Sequence, residues 1–146
     1  MFTKRINKWL ILLAAFSLVL TSCAAQENKL DATSWAVESY LASSGEMTDT
    51  LPDSTVTVYF QAGNVNGNAG CNNYTAAYQA ENKSLSIGPA AVTRKMCVEP
   101  VGIMEQEYAF LAALGNVTQY NIKEETLTLI DKKGDTQISL LRTTAQ

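Results

Sequence analysis

Apolar and polar residues alternate along several short stretches of the chain, a pattern that is typical of β-strands with one buried face. In SWAVESYLA, residues 34–42, Trp35 and Val37 alternate with small or polar residues and with Tyr40. The stretch TVTVYFQ, residues 55–61, alternates just as regularly. Both are predicted to be strands, and strict alternation places Tyr40 on the face opposite Trp35.

Five further strands are predicted from the same alternation. YTAAYQAENKSLSIG is typical of a hairpin with its turn at residues 81–83. Near the end of the chain, VTQYNI, TLTLID and TQISLLR follow one another with turns at residues 123–125 and 132–135. Residues 43–54 contain a glycine, a proline and several aspartates and serines, which predicts a loop after the first strand.

One helix is predicted between Pro100 and Leu114. Proline is tolerated at the first position of a helix, where its missing N–H has no partner to lose, and a glycine with an asparagine after Leu114 is typical of a helix end. The predicted apolar face is formed by residues at helical spacing, Val101, Met104, Tyr108, Leu111 and Leu114. The outward face is predicted to hold three polar residues, Glu105, Gln106 and Glu107.

Many short strands with close turns and a single helix indicate a mainly β protein. The predicted fold is a small antiparallel β-barrel-like curled sheet with one packed α-helix. Residues 33–142 contain no repeat, no low-complexity tract and no linker. We therefore expect one domain that spans residues 33–142.

The first 22 residues have the composition of an export signal rather than of a folded segment. Lys4, Arg5 and Lys8 precede the apolar run WLILLAAFSLVL, which is too short to cross a bilayer as a helix. The sequence Leu20-Thr21-Ser22-Cys23 resembles the lipobox of bacterial lipoproteins. Residues 1–22 are therefore predicted to be a cleaved lipoprotein signal peptide, with Cys23 as the lipid-attachment site.

Acylation of Cys23 would hold the protein in the cell envelope. Each buried CH₂ contributes about 0.8 kcal/mol, so two or three acyl chains give effectively permanent attachment. Because Ala24 rather than aspartate follows the cysteine, the resemblance favours the outer membrane in a bacterium with two membranes. Residues 23–32 are small or polar and are predicted to be a tether. The alternative is ordinary signal-peptide cleavage after Ala25, without a lipid.

The charge of the chain limits its partners. Lysine and arginine total 11, and aspartate and glutamate total 14. Removal of the predicted signal peptide deletes three basic residues and leaves 8 basic and 14 acidic residues, a net charge near −6. Nucleic acid is therefore excluded as an expected partner, because phosphate binding requires clustered lysine and arginine. The predicted membrane contact is through the N-terminal acyl chains alone.

Two cysteines remain once Cys23 is assigned to lipid. In an exported protein an even pair is first interpreted as a disulfide, here between Cys71 and Cys97. Such a bond would stabilise the fold by about 3 to 4 kcal/mol in the chain-entropy model. Two buried free thiols are the alternative.

Three motifs in order resemble those of the META domain family, which includes the heat-shock protein HslJ. They are Gly67-Asn68-Ala69-Gly70-Cys71-Asn72-Asn73-Tyr74, Thr93-Arg94-Lys95-Met96-Cys97 and Met104-Glu105-x-Glu107-x-x-Phe110-Leu111. The resemblance covers roughly residues 33 to 142. It implies a small antiparallel barrel with one helix and a frequent location as an envelope lipoprotein associated with stress tolerance. It implies no established catalytic activity.

The stretch NVNGNAGCNNY, residues 64–74, has two interpretations. In the structural one, Gly67 and Gly70 allow a bulge or a close backbone approach, and the Asn72 amide satisfies backbone groups at the bend. In the functional one, four asparagines line a polar groove for a sugar or a peptide, Asn66, Asn68, Asn72 and Asn73. Asn72 is thus a possible binding residue.

Thr93-Arg94-Lys95 is a local positive cluster beside Cys97 in an acidic domain. It is either a solvated turn or a receptor for an acidic partner or ligand. Arg94 is the second possible binding residue.

An enzyme is not expected, since several catalytic and metal-binding signals are missing. The chain contains no histidine, the commonest general base and metal ligand, and no glycine-rich phosphate loop, G-x-S-x-G or C-x-x-C. The carboxylate pairs Glu105 with Glu107 and Glu124 with Glu125 are predicted to be solvated. No catalytic residue, metal or cofactor is therefore predicted.

The leading hypothesis is a non-enzymatic binding module in stress or antimicrobial tolerance, whose partner is an envelope protein or a small ligand. A second hypothesis is an inhibitor of a protease or lysozyme, which would present a rigid loop at residues 43–54 or 93–97. A third is a carrier of a small apolar ligand, which would need a closed apolar cavity.

Overall fold

The computed structural model describes residues 28–144 and confirms a mainly β architecture with one helix. The elements in chain order are β1 (Thr33–Leu41), β2 (Met47–Asp49), β3 (Thr57–Gln61), β4 (Asn64–Asn68), β5 (Asn73–Glu81), β6 (Ser84–Ile87), β7 (Ala91–Val92), α1 (Ile103–Gly115), β8 (Gln119–Lys123), β9 (Thr126–Ile130) and β10 (Thr136–Thr143). All seven predicted strands are present. Alternation did not predict β2, β4 and β7. Val65 is the single buried residue of β4, so this strand shows no alternating apolar pattern.

The strands form one antiparallel sheet that closes on itself. The order of neighbours is β1, β3, β4, β5, β6, β8, β9 and β10, and β10 pairs with β1 to complete a barrel of eight strands. The β2 strand extends the sheet from β1, and β7 pairs with β5. Closure is weakest between β6 and β8, which share the single residue pair Ser84↔Gln119.

Side chains from the strands and from α1 fill the interior of the barrel. The largest of those that are 1 % exposed or less are Trp35, Phe60, Phe110, Leu114, Leu127, Leu129, Ile138 and Leu140. Tyr40 also points inward, contrary to the prediction, because a bulge between Val37 and Ser39 shifts the register of β1. This filling argues against the apolar-carrier hypothesis, which requires an empty cavity.

The helix begins later than predicted and buries a different face. Gly102, at a φ of 90°, is the N-cap, so α1 starts at Ile103 and not at Pro100. The buried residues of α1 are Ile103, Gln106, Glu107, Ala109, Phe110, Ala113 and Leu114. The predicted apolar face was wrong, because Val101 precedes the helix and Tyr108 is 72 % exposed.

The strand directions define two ends of the barrel. β1 begins at the end that carries the tight turns at residues 62–63, 82–83 and 124–125. The other end, which we call the helix end, carries α1, the turn at residues 69–72 and the loop at residues 93–102. The chain therefore enters the barrel at the end opposite the helix.

Residues 28–32, predicted to be part of the tether, pack against the barrel. Leu30 is fully buried and joins the hydrophobic core. Asn28 Nδ2 donates a hydrogen bond to the Tyr78 hydroxyl at 3.0 Å. The packed domain thus extends back to Asn28.

The predicted signal peptide, Cys23 and the first part of the tether lie outside the described residues. Within residues 28–144, no helix has the length and apolar character needed to cross a bilayer. The same residues contain no cluster of histidine, cysteine, aspartate or glutamate that is suited to hold a metal ion.

The buried tyrosines make alkaline pH destabilising. Burial raises the pKa of each of four tyrosines above the usual value of 10.0, Tyr40, Tyr74, Tyr78 and Tyr120. The unfolded chain therefore loses phenol protons at lower pH than the folded chain. We expect the free energy of unfolding to be insensitive to these groups below about pH 10 and to fall as the pH rises above it.

Denaturant unfolding followed by circular dichroism across this pH range measures the effect. Tyr74→Phe should make the decline shallower, because one buried phenol no longer titrates. Full phenolate absorbance in a chain that is still folded would contradict the prediction.

Candidate functional site

The glycines of the sequence motif occupy a crowded bend between β4 and β5. A Cβ on Gly67 would lie 1.9 Å from the Thr57 carbonyl oxygen, which accepts a hydrogen bond from the Tyr74 hydroxyl at 3.0 Å. Gly70 has a φ of 119° and faces the first turn of α1, where a Cβ would lie 3.0 Å from Ile103 Cδ1. Gly67 is therefore required by the close approach of the Thr57 backbone, and Gly70 by its positive φ, as the structural interpretation predicts.

Asn72 lies at the centre of this bend and is 2 % exposed. Its Oδ1 accepts hydrogen bonds from the Lys95 N–H at 2.7 Å and the Thr93 hydroxyl at 2.8 Å. Its Nδ2 donates to Glu107 Oε1 at 2.8 Å and to the Lys95 carbonyl at 3.1 Å. Since both ends of the amide are engaged, Asn72 holds the chain around it rather than facing a ligand.

Glu107 is the partner that the sequence did not predict. It is 7 % exposed, and its Oε2 accepts the Asn72 N–H at 2.6 Å. Neighbouring Gln106 is also buried and ties a second segment to α1, because its Oε1 accepts the Leu51 N–H at 2.6 Å and its Nε2 donates to Ser54 Oγ at 2.9 Å. The sequence does contain a signal for this burial. Ile103, Phe110 and Leu114 form an apolar stripe, and Gln106 and Glu107 lie on the same helix face.

The disulfide joins the bend to the loop that precedes α1. Cys71 and Cys97 are bonded, with their Cα atoms 5.9 Å apart. Together with the Asn72 hydrogen bonds, this bond fixes the residues 93–102, which we call the braced loop. The Thr93 N–H also donates to the Asn73 carbonyl at 3.0 Å, and the Ile103 N–H donates to Pro100 at the far end of the loop.

The braced loop carries apolar side chains into solvent. The four most exposed large apolar side chains in the described part of the chain lie on this loop or beside it on α1, Met96 (83 %), Val101 (80 %), Val98 (79 %) and Tyr108 (72 %). Arg94 and Lys95 are exposed on the same loop. Arg94 makes no ion pair with any residue between 28 and 144, where the single salt bridge joins Arg142 to Glu125.

The asparagines of the predicted groove are divided between two roles. Asn72 is buried, and Asn68 spans the bend by accepting the Gly70 N–H at 2.7 Å and donating to Asn73 at 3.0 Å. Asn66 and Asn73 instead face the outside of the barrel. There they help to line a shallow groove of about 440 Å³, together with Thr57, Tyr59, Gly67, Asn68 and Tyr74.

The two carboxylate pairs of the sequence have different surroundings in the structure. Glu105 is exposed on α1, whereas Glu107 is buried against Asn72. Glu124 and Glu125 lie in the turn at the opposite end of the barrel. The expectation that Glu107 is solvated was therefore wrong, and the expectation for the other three agrees with their exposed positions.

Comparison with solved structures shows the same fold in other proteins. A protein from Burkholderia xenovorans, solved by NMR, is 25% identical, with 80% of this chain and 85% of that chain covered and a TM-score of 0.66. A second NMR structure is 20% identical over 77% of this chain and 90% of the other, with a TM-score of 0.55. A crystal structure of a duf4847 family protein from Bacteroides vulgatus is 16% identical over 81% and 97%, with a TM-score of 0.53.

No curated protein matches the sequence significantly. The family model of the META domain matches residues 28–144, which are the residues that form the barrel, the bend and the braced loop. The match begins at Asn28, as the packed domain does. This chain therefore belongs to the META domain family.

Proposed function

We propose that the chain is a lipid-anchored binding module of the cell envelope, which contributes to stress or antimicrobial tolerance by docking an envelope protein through the braced loop. The observation that carries this proposal is the exposure of Met96, Val98, Val101 and Tyr108 on one small region. Large exposed apolar side chains that are concentrated on one segment in this way favour an interaction site.

The loop is fixed before it meets a partner. The disulfide at Cys97 and the two backbone hydrogen bonds of Lys95 to Asn72 restrain its centre. A restrained loop loses little conformational entropy on binding, so more of the contact energy appears as affinity. Arg94 beside the apolar residues favours a partner surface with an apolar pocket and an acidic rim.

The position of the loop suits a tethered module. The chain enters the barrel at the end opposite the braced loop. If acyl chains on Cys23 hold that end at the membrane, the loop points away from the lipid and toward other envelope proteins. The family is not known for a catalytic activity, which agrees with a binding role.

Complementation tests this proposal. A strain without the protein is given the full-length wild type, the double variant Met96→Ser/Val98→Ser, or the control Met47→Ser/Leu141→Ser, which changes two apolar residues that are each 41 % exposed elsewhere. We expect the wild type and the control to restore tolerance and to form the same cross-linked complex in intact cells. The loop variant should lose both, although its free energy of unfolding changes by no more than about 0.5 kcal/mol.

Full complementation and an unchanged complex with the loop variant would refute docking through the braced loop. In the same strains, Cys23→Ala removes the predicted anchor. A Cys23→Ala protein that remains in the membrane fraction and restores full tolerance would refute attachment through Cys23.

Inhibition of a hydrolase is a second candidate, because a disulfide-restrained exposed loop also suits an active-site cleft. The purified protein would then inhibit at least one enzyme in a panel of proteases and lysozymes. Met96→Ser/Val98→Ser would abolish that inhibition, whereas the Met47→Ser/Leu141→Ser control would not.

A further inference from the structure

The outer wall of the barrel carries a second candidate site, which adjoins the braced loop where Asn73 contacts Thr93 but is lined by no residue of that loop. Tyr59 on β3 lies directly across from Asn66 on β4, and Asn68 on β4 lies across from Asn73 on β5. These side chains surround the groove of about 440 Å³ at the backbone of Gly67. We propose that this groove binds an uncharged saccharide.

The hydrogen-bonding groups that face the groove remain available. Within residues 28–144 the Asn66 side chain makes no hydrogen bond, although it is partly buried. Asn73 uses its Oδ1 to accept from Asn68, which leaves its Nδ2 as a donor. An asparagine amide offers both a donor and an acceptor, and a pair of neighbouring hydroxyl groups on a sugar ring complements them.

An aromatic ring stands beside these amides. Tyr59 is 38 % exposed, whereas its neighbours Val58 and Phe60 are buried in the core. A tyrosine at such a site provides a rigid apolar face and a polar hydroxyl. The apolar C–H face of a sugar ring can pack against it while the ring hydroxyls reach Asn66.

The lining also disfavours other ligands. All seven residues that line the groove are uncharged, so it offers an ion no opposite charge. A fully apolar ligand would cover the amides without satisfying them, which costs free energy. A neutral, polyhydroxylated ligand satisfies both conditions.

Titration of the full-length protein in dodecylphosphocholine micelles tests the proposal, because this detergent contributes no sugar. The probes are N-acetylchitotriose, cellotriose and maltotriose, and the readouts are calorimetry and the side-chain amide NMR signals of Asn66 and Asn73. We expect at least one probe to bind with a Kd of about 1 mM or tighter and to shift both amide signals.

Two substitutions on the groove have matched controls elsewhere. Tyr59→Ala and Asn66→Ala should each weaken binding by at least about tenfold. Met47→Ala on β2 and Asn121→Ala on β8, which change exposed residues outside the groove, should leave it within about twofold. Thermal unfolding of each variant establishes that it is folded.

Absence of binding by all three probes would overturn the proposal, as would binding that survives both groove substitutions. A serine–glycine peptide that shifts Asn66 and Asn73 while the saccharides do not would assign the groove to peptides instead. Met96→Ser/Val98→Ser changes the braced loop and no residue of the groove. Saccharide binding by this variant should therefore be unchanged even where its docking is lost.

Discussion

Replacement of Asn72 by alanine is expected to lower the free energy of unfolding by about 3 kcal/mol. The change removes the partners of the Lys95 N–H and the Thr93 hydroxyl and takes one hydrogen bond from the Glu107 carboxylate. A buried polar group that loses its partner costs about 1 to 3 kcal/mol, and water near the loop can replace only part of this loss. Urea unfolding measures the difference.

Asn66→Ala is the matched control, since Asn66 belongs to the same stretch and its side chain makes no hydrogen bond within the described residues. It should change the free energy of unfolding by less than about 0.5 kcal/mol. Equal effects of the two substitutions would contradict a structural role for Asn72.

Asn72→Asp adds a test by pH. It places a second carboxylate against buried Glu107, and such a pair keeps a proton to higher pH than the two groups do in the unfolded chain. The folded variant then binds more protons than the unfolded one, so its stability relative to wild type should fall as the pH rises from about 4 to 7. A pH-independent difference would show that the two carboxylates do not interact.

The sequence predicts the barrel well where each strand obeys a simple two-residue period. It fails where one residue disturbs that period, as the bulge before Ser39 does when it turns Tyr40 inward. Strand β4 was also missed, because its outward asparagines and a glycine surround the single buried Val65. In both cases pairing with neighbouring strands, which local patterns do not contain, determines the result.

The helix illustrates a second limit. The helical period predicts an apolar face that includes Tyr108 and Leu111. The face that is buried instead contains Phe110 and two polar residues. Glu107 and Gln106 are buried because segments distant in sequence, at Asn72 and at Leu51, supply their hydrogen bonds. Burial of a polar residue depends on such partners, and a helical period alone cannot identify them.

The candidate site was predicted in part. The even pair of cysteines predicted the disulfide, and the motif located the bend, where the hydrogen bonds of Asn72 agree with the structural one of its two interpretations. The exposure of Met96 and Val98 was not predicted, since apolar residues are usually taken to be buried. Cys97 lies between them, and its disulfide to Cys71 holds the chain so that both side chains stay exposed. Composition alone does not reveal this restraint.

Replacement of both Cys71 and Cys97 by serine is expected to lower the free energy of unfolding by about 3.5 kcal/mol. The two cysteines are 26 residues apart, and the chain-entropy model gives about this value for a loop of that length. For a domain of this size the thermal midpoint should fall by about 10 to 15 °C. The Asn72 hydrogen bonds to Lys95 remain, so the part of the braced loop after Met96 should loosen most and docking should weaken.

A reducing agent provides the control for this substitution, because it should lower the midpoint of the wild type by a similar amount and leave the double-serine variant unchanged. Amide hydrogen exchange should increase at Met96 to Glu99 in both reduced wild type and variant, while the core strand β9 remains protected. A wild-type midpoint that does not respond to reduction, in protein whose mass shows a single oxidised species, would contradict the stabilising role. In that case the hydrogen bonds of Asn72 and Glu107 alone would hold the loop in place.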